Sequence, residues 1–352
     1  MKGKKKFLCV LLVVLMVTSI LSGCGKSNPG QGPSDPNSGD SNNVKPIVFT
    51  VTADVTGARA PYVERFAELI EEKTNGRYVA DVIAASSLGN AADMAQMLQM
   101  GTLDVLMSDD MSMDGVLDGA LGFAWLPGLV SNYDEADQYY LYGWISDKIT
   151  EIMEENDLIR ISSYCNGFRQ VGNIKRPITE LSDFAGLKIR TPPVESVVTF
   201  YEMCGSLPAM IAGSEVLSAL QTSTVDGLDN AVFNYINQGL TDVITNITEI
   251  NYCYSGGCFI SGPSFWDTLS EEDKAIFKEC AQVASDEFTA FFREETDKLQ
   301  KQGEESGQWV VSQPSEALKK DLQDIYAKIW DKYYEKYGAE IMEPIINGDY
   351  KK

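Results

Sequence analysis

The chain has 352 residues, of which 29 are basic, 51 acidic and none histidine, and it carries a formal net charge of −22 at pH 7. A field of that sign disfavours nucleic acid and anionic lipid surfaces as partners. The missing histidine removes Ser-His-Asp and Cys-His hydrolases, zinc hydrolases with His ligands and His-based general acid–base mechanisms.

Lys2, Lys4, Lys5 and Lys6 form a basic start, and an apolar run from Phe7 to Ile20 follows. That run suits the central region of a signal peptide but is short for a membrane span of roughly 20 residues. It ends in Leu21-Ser22-Gly23-Cys24, which resembles the lipobox at which bacteria lipidate the cysteine and cleave before it. Residues 1–23 are therefore expected to be a lipoprotein signal peptide. Losing its four lysines takes the net charge from −22 to about −26. From 24 to 46 the composition turns to Gly, Ser, Pro, Asn and Asp, too polar to offset the entropy of ordering, so lipidated Cys24 is expected to lead into a flexible tether. Two acyl chains on one cysteine suffice for stable anchoring. An ordinary signal peptide with an incidental cysteine is the alternative.

The body from Ile47 to Lys352, about 300 residues, exceeds the size at which one core usually keeps growing, so two lobes are expected. Ile47 to Thr52 reads as a strand. Pro61 opens a helix with Tyr62, Phe66, Leu69 and Ile70 at helical spacing, and Asn75-Gly76 ends it. Tyr78 to Ile83 is a second strand, Ala91 to Met100 a helix with Met94, Met97 and Leu98 inward, and Leu103 to Met107 a third strand. This alternation implies a parallel sheet with covering helices. Leu158 to Ser162 and Gly186 to Ile189 read as further strands, the latter stopped by Pro192-Pro193. Val194 to Met203 and Glu215 to Thr222 read as helices, with a strand-like turn around Val225-Asp226-Gly227, so this half can build its own small sheet. Thr268 to Asp273 carries a capping-box signature, and Ile276, Phe277, Cys280, Val283, Ala284, Phe288, Phe291 and Phe292 continue a helix to about Gln302. A helix of about 30 residues rises ~45 Å and could cross both lobes.

The chemistry that is absent narrows the field. No GxGxxG opens a helix after a strand, and there is no P-loop, so no cofactor is expected. Cys165, Cys204, Cys253, Cys258 and Cys280 show no metal-type spacing, so no metal is expected, and they read chiefly as buried thiols. A carboxylate pair of glycosidase type remains possible, but with 51 acidic residues a chance pairing carries no information.

What remains is anion recognition. Arg190 follows the short apolar strand Leu187-Lys188-Ile189 and precedes two prolines, so a stiff backbone aims it from the carboxyl edge, where open α/β sheets bind ligands. A guanidinium offers a carboxylate two parallel donors, although an arginine at a strand end also fits a surface salt bridge.

Longer segments place that arginine in context. Gly167-Phe168-Arg169, Lys175-Arg176-Pro177-Ile178 and Leu181-Ser182-Asp183-Phe184-Ala185-Gly186-Leu187-Lys188-Ile189-Arg190-Thr191-Pro192 resemble the signature of the solute-binding proteins of tripartite ATP-independent periplasmic (TRAP) transporters, the DctP-like family. Glu71-Glu72-Lys73-Thr74-Asn75-Gly76-Arg77 is similar to that family's "EEKTGGR". Leu88-Gly89 with Gly101-Thr102-Leu103-Asp104 is similar to "QLG … GTLD", and Ala219-Leu220-Gln221-Thr222 with Val225-Asp226-Gly227-Leu228-Asp229-Asn230 to "ALQTGVVDGQEN". The likeness runs from Ile47 to about residue 300. It departs at Asn75, Asp229, Ala231 and in Glu249 to Tyr254, which lacks a common histidine.

The resemblance implies an α/β, two-lobed periplasmic-binding-protein-like fold (class II-like, TRAP type) with a long helix spanning both lobes. Lobe I would hold 47–165 and about 255–290, lobe II 166–254 and about 291–352. It implies no enzyme but an exported receptor, anchored outside the cell membrane or in the periplasm, that delivers a small organic acid, such as a sugar acid, uronate or C4-dicarboxylate, to TRAP membrane subunits. A monomer is expected. Arg190 would grip the ligand carboxylate at two points, Arg169 would add contacts, and Asn230 would close the site from the side. Asp109, just after the third strand, could accept from ligand hydroxyls or be an ordinary loop aspartate. Thr56, Gly57 and Tyr62 lie in or after the first strand–helix loop facing the cleft, Tyr62 more as core. An ABC-type receptor and an exported carboxylate-pair glycosidase are the alternatives.

Overall fold

The computed structural model describes residues 45–352 except Thr56; the signal peptide, the tether, Cys24 and Thr56 lie outside the described residues. Two six-stranded sheets carry the architecture. In chain order the strands are β1 (Ile47–Ala53), β2 (Tyr78–Val82), β3 (Val105–Asp109), β4 (Ile159–Arg160), β5 (Tyr164–Phe168), β6 (Gln170–Asn173), β7 (Lys188–Thr191), β8 (Leu207–Met210), β9 (Gly227–Asn230), β10 (Asn246–Thr248), β11 (Tyr254–Ser261) and β12 (Val310–Ser312).

The first sheet runs β2-β1-β3-β11-β4, with β5 also paired to β11. β1 is parallel to β2 and β3, as strand–helix–strand alternation requires. Phe49, Val51 and Ala53 alternate into the core. The covering helix Ala60–Lys73 buries Val63, Phe66, Leu69 and Ile70. It stops where Asn75 (φ 52) and Gly76 (φ 73) turn left-handed. The helix Ala91–Met100 matches its expected bounds, because Asn90 and Asp93 close a reciprocal capping box and Gly101 ends it in the left-handed region.

The third strand sits two residues later than expected. Asp104 turns its carboxylate onto the Thr50 amide (2.7 Å) and hydroxyl (2.8 Å), so pairing begins at Val105 and Asp109 closes the strand instead of following it. Beside it runs β11, wholly buried and antiparallel to β3. Its Tyr-Ser-Gly-Gly-Cys-Phe-Ile-Ser sequence has no apolar alternation, and its glycines answer to packing: a Cβ at Gly257 would lie 2.1 Å from the Tyr164 ring.

The second sheet runs β12-β10-β6-β9-β7-β8. β7 is parallel to β8 and β9, whereas β6 is antiparallel to β9 and β10. The strand expected to end at Ile189 begins at Lys188 and ends at Thr191, so Arg190 lies within it. The chain changes sheet between β5 and β6, at Arg169, and returns between β10 and β11. These crossings touch, since the Arg169 amide donates to the Cys253 carbonyl at 2.9 Å. Gly167 (φ 86) serves the first crossing, and a Cβ there would meet the Phe292 ring at 2.8 Å and Ala231 at 3.0 Å.

The long helix spans Glu271–Ser306, capped by the Ser270 hydroxyl and ended by left-handed Gly307. Phe277, Cys280, Ala284, Phe288 and Phe292 face inward, while Phe291 stays 36% exposed. The helix packs on Ala60–Lys73 and β5 of the first sheet and on the Val232–Asn237 helix of the second. The Tyr62 ring rests against Phe288 and Phe291, which makes it a packing residue. A second long helix, Glu316–Asn347, broken at Gly338, covers the molecule near the chain end. The five described cysteines are buried and unpaired. Among the described residues no helix is long and apolar enough to cross a membrane.

One core carboxylate gives a testable pH effect. Asp114 is 1% exposed with Oδ1 unpaired, and burial pushes its pKa up to about 7 against the opposing pull of the Leu121 and Gly122 backbone and Lys336. Because the folded-state value is the higher one, its stabilisation belongs to the protonated form and is lost as pH rises through about 7. The margin by which Asp114→Asn melts above the parent should be roughly 4 °C or more larger at pH 8 than at pH 5; differential scanning fluorimetry at both pH values checks this.

Candidate functional site

Arg190 pairs in register with Leu228 of β9 and Ala209 of β8, and the residue is 6% exposed. Its Nε donates to the Ile211 carbonyl at 2.7 Å, and its Nη2 passes close to Gly213. No carboxylate among the described residues forms an ion pair with it. Burial pushes this guanidinium down to about 10, and the neighbouring Arg169 charge adds to the depression while Asp229, Asp109 and Tyr235 oppose it. A buried cation without its own anion is expensive, and an incoming carboxylate would remove that expense.

Arg169 is held differently. Its Nε donates to Asp229 Oδ2 at 2.7 Å, and its Nη2 donates to Asp229 Oδ1 at 3.0 Å and to the Asp229 carbonyl at 2.8 Å. Tyr252 donates to the same carboxylate from the return crossing. Asp229, which stands where the family pattern has the equally anionic Glu, therefore neutralises Arg169. This leaves Arg190 as the cation with uncommitted charge.

Asn230 adjoins that pair on β9. Its Oδ1 accepts from the Ala231 amide (2.9 Å) and from Asn234 Nδ2 (3.0 Å), which leaves its amide nitrogen to donate. Asn234 also reaches Asn166 Oδ1 at 3.3 Å, and Asn166 in turn accepts from Arg59 Nη2 at 3.4 Å. A polar chain thus links strands of both sheets. Asp109 joins it from β3. Its carboxylate caps the helix Asp110–Asp114 by accepting from the Ser112 amide (2.9 Å) and hydroxyl (3.1 Å), and it stands 3.6 Å from Arg59 Nη2. Asp54, fully buried, pairs with Arg59 and accepts from Ser108 Oγ at 2.7 Å.

The structure therefore brings Arg190, Arg169 and Asn230 together on one sheet and ties Asn230 through asparagines to Arg59 and Asp109 on the other. Gly57 (φ 98) brings the first loop so close to the Val232–Asn237 helix that a Cβ would meet Asn237 Oδ1 at 2.7 Å. Sequence reasoning missed Asp54, Arg59, Asn166, Asn234 and Tyr252. Arg59 carried a usable signal, because a basic residue just before an apolar-faced helix opposes the helix dipole and needs a nearby acid. Two surface concavities carry no arginine: an open groove of about 480 Å³ lined by Asp147, Glu151, Glu154 and Glu155, and a cavity of about 230 Å³ lined in part by Tyr133, Gln170, Glu249 and Asp297.

Known proteins resemble this chain over most of its length. Residues 55–337 match the model of the DctP family, bacterial extracellular solute-binding protein family 7. The C4-dicarboxylate-binding periplasmic protein DctP of Rhodobacter capsulatus is 25% identical over 80% of this chain and 84% of its own length. A TRAP periplasmic solute-binding protein of Haemophilus influenzae, solved with L-gulonate, superposes with a TM-score of 0.77 at 23% identity, over 85% of this chain and 99% of that one. The sugar acid binding protein of Advenella mimigardefordensis, solved with galactonate, gives a TM-score of 0.80 at 21% identity, over 87% and 98% of the two chains. The chain belongs to the bacterial extracellular solute-binding protein family 7, whose members here are receptors for small acids and not enzymes.

Proposed function

We propose that this chain is the extracytoplasmic receptor of a TRAP transporter and that it captures a small organic acid by a salt bridge from the ligand carboxylate to Arg190. The observation that carries the reading is a buried guanidinium with no anion of its own among the described residues, beside an asparagine amide with a donor to spare. In a site this dry, two parallel charge-assisted hydrogen bonds replace the water a carboxylate loses. The two sheets are read as two lobes, 47–165 with about 255–290 and 166–254 with about 291–352, that close over the ligand about the paired crossings at Arg169 and Cys253. Closure gives the membrane subunits a shape to recognise. Cys24 is read as the lipid anchor and the receptor as a monomer.

A thermal-shift screen of the mature chain against sugar acids, uronates, C4 acids, keto acids and aromatic acids tests this. A ligand at 100 times its Kd stabilises the folded form by about 2.7 kcal/mol, so the cognate acid should raise Tm by several degrees while neutral sugars do nothing. A neutral sugar giving the largest shift would sink the proposal.

A further inference from the structure

The charges around the site are not balanced evenly between its two sides. On the second sheet, Arg190 is uncommitted and Arg169 is neutralised by Asp229. On the first sheet, Arg59 faces both Asp54 and Asp109, two carboxylates to one guanidinium. Asp54 takes the direct ion pair and the Ser108 hydroxyl, so Asp109, at 3.6 Å from the same guanidinium and bonded to Ser112, keeps spare acceptor capacity. Behind it, buried Arg160 lies 3.8 Å from Asp110. Among the described residues of the site, no second cation is left without its carboxylate. Asp109 is tied to the side of the site that holds Asn230 through Arg59, Asn166 and Asn234.

We infer that the site selects a monoanionic carboxylate bearing a hydroxyl or ammonium donor at its far end, that it rejects the matching dicarboxylate, and that Asp109 is the discriminating residue. The inference rests on the carboxylate reading of Arg190. With its first carboxylate on Arg190, a ligand presents its far end to a wall of surplus negative charge. A hydroxyl or ammonium there donates to Asp109. A second carboxylate there meets like charge in a low-dielectric crevice, where repulsion between unit charges is strongest. Size alone would not separate the two ligands, because CH2OH and carboxylate differ little in volume.

Matched pairs isolate that difference: gluconate with glucarate, galactonate with galactarate, and 4-hydroxybutyrate or 4-aminobutyrate with succinate, titrated by calorimetry into the mature chain. In whichever pair binds, the monocarboxylate should bind at least tenfold tighter. Asp109→Asn keeps the side chain's shape and its capping oxygen, and should shrink that ratio at least fivefold, chiefly by improving the dicarboxylate. A dicarboxylate that equals or beats its partner in the parent protein overturns the inference without any variant. So does an unchanged ratio in an Asp109→Asn protein whose melting curve shows it folded. Arg190→Met separates the two levels: if it abolishes binding of both members of a pair, the carboxylate reading stands even where the selectivity fails. If no acid of the panel binds, that reading falls and takes this one with it.

Discussion

Replacing Arg190 with Ala is expected to weaken binding of the cognate acid by at least about 2 kcal/mol, a loss near 30-fold, and to do so through faster dissociation. The size follows from what is left behind. In the parent protein the ligand carboxylate trades water for the guanidinium and the Asn230 amide. In the variant it must enter the same buried space with only the amide, and a desolvated anion short of its partner carries the penalty. Arg190→Lys should recover part of the affinity, because a point charge keeps the Coulomb attraction but loses the two parallel donors. The variants should not behave like ordinary core losses. Among the described residues the guanidinium makes one hydrogen bond, to the Ile211 carbonyl, and its burial as a cation costs the ligand-free fold. Arg190→Met should therefore leave the ligand-free Tm unchanged or raise it, while removing the ligand-induced shift. Calorimetry and melting curves with and without ligand test both halves. An Arg190→Met protein that binds as tightly as the parent would exclude this side chain as the anchor.

Much of the first sheet was legible because local rules and tertiary context agree there. Asn90 and Gly101 mark the ends of one helix, Asn75 and Gly76 the end of another, and the apolar alternation of β1 points at the core it meets. Arg190 was legible as a candidate anchor through its strand and its prolines, although the strand proved to run past it to Thr191. What stayed hidden depends on contacts between distant segments. β11 is buried throughout and rich in glycine, so neither period nor propensity marks it. Its central place between β3 and the short strands β4 and β5 is decided by Tyr164 and Tyr140 packing over the glycines. The same holds for the site. Arg169 was recognisable as an arginine of interest, but its neutralisation by Asp229 lies across 60 positions of sequence. Nothing local to Asn166 or Asn234 indicates that they join the two sheets.

Breaking the Arg169–Asp229 pair should have the largest effect on stability. Asp229 is completely buried and Arg169 nearly so, and the pair is bidentate, with Tyr252 completing the carboxylate's shell. Asp229→Ala would leave two neighbouring guanidiniums, Arg169 and Arg190, buried without a permanent anion, and removal of one partner from such a pair costs about 3 to 5 kcal/mol. Arg169→Met should cost a comparable amount by stranding the carboxylate. The double variant Arg169→Met with Asp229→Leu should recover most of either loss, because an apolar pair of similar volume avoids both desolvation penalties. Urea unfolding of the parent, Arg169→Met, Asp229→Leu and the double variant gives the coupling energy directly, and additive losses would show that the pair is not coupled. Anions add a second readout. With Asp229 gone, the site gains a net positive charge, so multivalent anions should stabilise Asp229→Ala far more than the parent. A dicarboxylate should gain on its monocarboxylate match for the same reason. If sulfate and succinate raise the Tm of both proteins equally, Arg169 does not share the charge environment of Arg190, and the anion site is Arg190's alone.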